Sequence, residues 1–97
     1  PTYLAGRELF GANCAQCHGS TATGTDLGPP LVHRLYVPSH HPDFSFQAAV
    51  ANGVITHHWF FGDMPPVPGL TEADVDNIIC YVRTLQRDGG LPVEVSC

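Results

Sequence analysis

The sequence predicts a helical fold class: helices joined by turn-rich loops and wrapped around one bound group. Three observations predict it. Apolar residues recur at helical spacing near residues 2–13 and 70–86, with a shorter helical segment near 44–52. Ten Gly and nine Pro in 97 residues break the remainder into turns. Cys14-Ala15-Gln16-Cys17-His18 reads C-x-x-C-H, the attachment pattern for a c-type haem.

The chemistry explains that spacing. Two thiols add across the two haem vinyl groups and become thioethers, and the two intervening residues let both sulfurs reach one porphyrin edge. His18 then lies under the iron and offers an axial imidazole nitrogen. Rival readings fit less well. A dithiol redox pair wants a βαβ context, which the chain lacks. Zinc wants four tetrahedral ligands, and no second C-x-x-C or H-x-x-x-H follows.

Composition narrows the class further. At 97 residues the chain is read as a single domain, 1–97. Charged residues make up only 13%, which argues against disorder. Net charge is −5, and the four cations are all arginines: Arg7, Arg34, Arg83 and Arg87. Nucleic acid and anionic membranes are poor partners for such a chain. No apolar run is long enough to span a bilayer. No signal peptide is visible, so export is inferred from the haem motif.

Thr2 caps the first helix, which runs to Asn13, with Tyr3, Gly6 and Phe10 at i, i+3 and i+7. Glycine costs up to about 1 kcal/mol inside a helix. Gly6 therefore reads as a point of close helix approach, against the plainer reading of a tolerated surface glycine. The helix leads directly into Cys14. Beyond His18, Gly28-Pro29-Pro30-Leu31 forms a stiff turn able to present a carbonyl to the His18 Nδ1–H, which would fix the ring. His33, His40 and His41 read as loop histidines. Asp43 or Ser45 is expected to cap a helix over about 44–52, ended by Gly53.

The run His57-His58-Trp59-Phe60-Phe61 is the densest in aromatics, and its rings are expected to pack on a porphyrin. The Trp59 indole N–H would seek an acceptor, with a haem propionate as a candidate. Met64 is the sole methionine, 46 residues after His18 and followed by Pro65-Pro66. Thioether sulfur is a soft iron ligand that raises the potential when paired with histidine. Met64 is the favoured sixth ligand, and His57 or His58 competes with it.

Thr71 and Asp74 give the last helix a capping-box start, with Leu70 and Val75 as a hydrophobic staple. Val75, Ile78, Ile79, Tyr81, Val82 and Leu85 share one broad face, while Arg83 and Arg87 suit the negative end of the dipole. Gly89-Gly90 ends the helix. Cys80 falls opposite the apolar face, beside Asp76, Arg83, Thr84 and Arg87, toward solvent or the extended tail at 88–97. A Cys80–Cys97 disulfide pinning that tail is the expectation; two free thiols or an intermolecular bridge are the alternatives.

Taken together, the sequence resembles a class I cytochrome c of the small bacterial kind. The resemblance rests on the Gly6/Phe10 helix, Cys14 to Gly19, Gly28-Pro29-Pro30-Leu31, Gly62-Asp63-Met64-Pro65 and the Leu70-to-Gln86 helix. It implies an all-α cytochrome c fold of three to five helices around one covalent haem c, with the terminal helices crossing near Gly6, Phe10 and Tyr81. It implies His18 and Met64 as axial iron ligands and the Pro29 carbonyl as acceptor for His18. Leu31, Trp59 and Phe60 join Cys14, Cys17, Pro29 and Met64 as expected haem-contacting residues. The absence of lysine departs from the family's common basic docking face. The function expected is one-electron transfer in the bacterial periplasm, with an oxidoreductase, an oxidase or another cytochrome as partner and no catalysis. The alternatives are a haem domain or subunit of a larger oxidoreductase, and a haem enzyme or gas sensor with a labile sixth ligand.

Overall fold

The computed structural model describes all 97 residues, Pro1–Cys97. Four helices follow one another: α1 (Tyr3–Asn13), α2 (Ala15–His18), α3 (Asp43–Asn52) and α4 (Glu72–Asp88). A short 3-10 turn, Arg34–Tyr36, interrupts the long connection between α2 and α3. There are no strands, only an isolated antiparallel bridge between Val54 and Met64. This is the all-α architecture expected of the sequence.

α1 and α4 begin as their residues dictate. The Thr2 hydroxyl accepts the Ala5 N–H at 3.2 Å. Thr71 and Asp74 exchange both capping-box bonds, at 3.1 and 3.0 Å. The two helices then cross at Gly6. A Cβ there would run into the Asn77 carbonyl oxygen, so hydrogen is the only side chain that permits the approach. Thr2 N–H adds a bond to Asn77 Oδ1 at 2.7 Å.

The core is small and sits at this crossing. Phe10, Ala22, Ile78, Tyr81 and Val82 form its buried cluster, with Tyr3, Leu9, Leu31, Val32, Phe46, Leu70 and Leu85 packed around it. The Tyr81 ring lies 5.1 Å from that of Tyr3 and 5.4 Å from that of Phe10. Its hydroxyl donates to the Ser20 carbonyl at 2.6 Å, tying the segment after His18 to α4. Only 14 of 97 residues are buried, which suits a chain that shares its interior with a prosthetic group.

Two expectations need correction. Neither Asp43 nor Ser45 caps α3: the helix opens at Asp43 behind Pro42, with no side-chain cap. The Asp43 carboxylate is taken by Arg83 at 2.9 Å, and the Ser45 hydroxyl donates back to the Pro42 carbonyl at 2.7 Å. Arg83, expected on the outer face near the helix end, is buried instead. Its guanidinium also donates to the Tyr36 and His41 carbonyls and to Gln86 Oε1, and it stacks 4.8 Å over the Phe46 ring. Fully buried Gln86 donates to the Leu31 and Tyr36 carbonyls. Loop carbonyls without a ladder need donors, and α4 supplies them. Helical periodicity records nothing of that demand.

The tail packs along the outer side of α4. Val93 is buried, and Leu91 N–H bonds the Gln86 carbonyl at 3.0 Å. Cys80, buried beneath the tail, is joined to Cys97 by a disulfide.

Candidate functional site

α1 ends at Cys14, whose backbone N–H bonds the Phe10 carbonyl at 2.8 Å, and the one-turn α2 begins directly after it. That turn brings Cys14, Cys17 and His18 together at one end of α1. Both thiols are free, Cys14 half-buried and Cys17 exposed. Burial, followed by the neighbouring Cys17 charge, pushes the Cys14 thiol up to about 11, so it is a protonated thiol at neutral pH.

His18 is oriented by its partner. Its Nδ1 lies 2.8 Å from the Pro29 carbonyl, to which it donates as the Nδ1–H tautomer. Burial lowers its pKa below the usual histidine range, and the Pro29 bond opposes that shift. A neutral ring with Nδ1 engaged leaves the Nε2 lone pair for a metal. The turn that carries Pro29 is itself held: Leu31 and Val32 N–H both bond the Ala22 carbonyl, at 2.8 and 3.0 Å.

Met64 sits on a second loop. Val54 and Met64 exchange both backbone hydrogen bonds, each 2.9 Å, closing residues 54–64 into a hairpin-like lobe. Gly53 makes the entry possible. Its φ is +75°, and a Cβ there would lie 2.5 Å from the Met64 carbonyl oxygen. Inside the lobe Thr56 N–H bonds Asp63 Oδ1 at 2.8 Å, and the Thr56 hydroxyl donates to the Trp59 carbonyl at 2.6 Å. Sequence reasoning missed this anchoring of Met64. Gly53 was its one visible signal, and it reads equally well as a plain helix terminator.

The aromatic run divides. The Trp59 indole N–H donates to the Tyr36 hydroxyl at 2.8 Å, an acceptor within the protein to which the sequence did not point. Burial raises the Tyr36 pKa, and the bond from Trp59 opposes the rise. Phe60 is fully exposed and touches no part of the protein core, so any partner for its ring comes from outside the chain. Leu31 is half-buried against the core. His57 and His58 are exposed and lie against His41, with ring centroids 6.2 and 5.6 Å from it.

The donor set suits haem c. It offers two free thiols at the attachment spacing, an imidazole with Nε2 available, and a thioether on a separately anchored loop. The comparisons agree. The cytochrome c family model matches residues 3–86. Cytochrome c-554(547) of Halothiobacillus neapolitanus is 30% identical over 87 residues, covering 84% of this chain and 94% of that protein. The CcoP subunit of a cbb3-type cytochrome c oxidase from Rubrivivax gelatinosus is 33% identical over 82 residues, covering 82% of this chain but only 25% of the subunit. No solved structure gives a significant match.

The fold and donor set thus define a haem-bearing electron-transfer protein. The chain belongs to the cytochrome c family, which carries covalently bound haem c with its iron.

Proposed function

We propose that this protein is a one-electron carrier whose haem iron takes His18 and Met64 as axial ligands, exchanging electrons between redox proteins of the bacterial periplasm. The observation that carries the reading is the paired hydrogen bond between Val54 and Met64. It fixes the backbone of the lone methionine from outside the C-x-x-C-H segment.

When bound, haem c supplies a ferric/ferrous couple that takes up and returns one electron. Cys14 and Cys17 would hold it covalently at the end of α1. His18 would bind through Nε2, while the Pro29 carbonyl keeps the ring from turning. Met64 would supply the thioether ligand and so keep oxygen and water off the metal. Ligands held by two separately anchored segments need little movement when the charge changes. The family resemblance implies that the electron leaves through the haem edge near the attachment segment.

Partner recognition follows from the surface. Arg83 is buried, leaving Arg7, Arg34 and Arg87 as the exposed cations against a net charge of −5. Ile55 and Phe60 stand exposed on the Met64 lobe. The partner's docking face is therefore apolar or basic. No helix is long and apolar enough to cross a membrane.

A second reading draws on the CcoP match, in which a chain like this one spans a quarter of a larger oxidase subunit. Under it, the protein is a haem domain or subunit of a larger oxidoreductase. Gel filtration of native extract separates the two: a carrier elutes alone, and a subunit co-elutes with its complex.

The ligand assignment is tested by Met64→Ala. The ferric wild type should show the methionine–iron charge-transfer band, and the variant should lose it. A band absent from wild type, or retained in the variant, would contradict the assignment.

A further inference from the structure

Away from the thiols and His18, three histidines gather on the surface. His41 belongs to the connection before α3, whereas His57 and His58 are at the tip of the Met64 lobe. One ring nitrogen from each lies within 4.8 Å of the others. The His57 and His58 centroids are 4.1 Å apart. No carboxylate makes an ion pair with any of the three.

We propose that His41, His57 and His58 form a binding site for a divalent first-row transition ion of the zinc–copper class, separate from the haem iron. Ring orientation supports it. His41 Nδ1 is bonded to the Leu35 carbonyl, and His57 Nδ1 lies 3.0 Å from the Ile55 carbonyl. With Nδ1 donating to a carbonyl, each ring keeps its Nε2 lone pair free. That is the arrangement metal-bound histidines take, with the second nitrogen fixing tautomer and orientation. Imidazole suits zinc, copper and nickel, and the oxygen-loving ions find no carboxylate here.

Three nitrogens around a tetrahedral zinc at a Zn–N distance of about 2.0–2.1 Å sit about 3.3 Å apart. The present spacing, within 4.8 Å, would have to close to that value, and the exposed His57 and His58 side chains are the ones free to rotate. Three imidazoles leave a fourth position open to water or to a ligand from a partner.

The site joins two otherwise separate segments. Arg83 donates to the His41 carbonyl and so ties this residue to α4, whereas His57 and His58 ride on the lobe closed by the Val54–Met64 bridge. A bound ion would clamp the lobe to the body of the fold. The proposed site rests on Met64, and neither His57 nor His58, being the second iron ligand.

Calorimetric titration of zinc(II) into the ferric, haem-loaded protein near neutral pH tests the proposal; covalent attachment removes Cys14 and Cys17 as competing ligands. One ion per chain is expected. His57→Ala and His58→Ala should each weaken binding by about tenfold or more, since losing even an outer-shell partner costs 10–100-fold. His33→Ala should bind as wild type, because that ring packs against Trp59 with its Nδ1 accepting from the Leu35 N–H. An unchanged haem spectrum in each variant reports an intact fold. The proposal is overturned by less than one ion per chain, by wild-type affinity in either His57→Ala or His58→Ala, or by equal loss in His33→Ala.

Discussion

Tyr81 shows how much one side chain does here. Its ring fills the crossing of α1 and α4, and its hydroxyl holds the segment after His18 through Ser20. Burial raises its pKa, the Tyr3 charge adds to the rise, and Arg7 opposes it. The fold therefore favours the protonated phenol. Above the ordinary tyrosine pKa the unfolded chain binds fewer protons than the native one, so stability falls as pH rises through the folded pKa. Tyr81→Phe should cost about 1 kcal/mol near neutral pH through the lost hydrogen bond and make the alkaline loss of stability shallower. Urea midpoints at pH 7 and above pH 10 measure both effects; an equally steep alkaline loss in the variant would count against the assignment. Arg83 is the other decisive residue. Replacing it with Leu strands the His41 carbonyl and Gln86 Oε1 and should cost about 3 kcal/mol, read as a lowered midpoint. An unchanged midpoint would mean that the loop is held by something else.

Among the elements, the helices were legible, and so was the turn whose Pro29 carbonyl accepts from His18, but the other loop ties were not. Thr2, Thr71 with Asp74, and the apolar face from Val75 to Val82 state α1 and α4 through local capping and spacing, and the structure repeats them. Gly6 was legible for a similar reason, since glycine inside a helix needs a steric cause, and Asn77 provides it. Gly6→Ala should cost about 2 kcal/mol by forcing the helices apart; thermal melting checks this, and a neutral result would place the crossing elsewhere. The α3 cap was misread because Asp43 is claimed by Arg83, forty residues away in sequence. The Trp59–Tyr36 bond was not legible for the same kind of reason, the two residues lying 23 apart in sequence. The Val54–Met64 bridge pairs two residues with no shared periodicity, so only folded backbone reveals it. The C-x-x-C-H segment was readable because attachment chemistry fixes its spacing within five residues.

The whole molecule couples a thin protein core to a group held by two loops, so its stability is spread over a few distant ties. Tyr81–Ser20, Arg83–His41, Gln86–Leu31 and the Cys80–Cys97 link each fasten an irregular segment to α4. The last of these closes a loop with sequence separation 17, which a chain-entropy argument values at about 3 kcal/mol. Cys97→Ser should lower stability by roughly that amount without shifting the haem spectrum, while thiol titration of the unfolded, unreduced wild type should find neither Cys80 nor Cys97 reactive. Two reactive thiols would show the tail to be held without a covalent link. On this account α4 is the frame, and the His18 and Met64 segments are mounted from it on opposite sides of the sequence. The most direct test is a spectroelectrochemical titration of the haem-loaded protein. The account predicts a single reversible one-electron transition, positive of the range for two histidine ligands, with the methionine–iron band vanishing in step with reduction. A potential in the two-histidine range, or a high-spin ferric spectrum without that band, would contradict a closed His18/Met64 carrier.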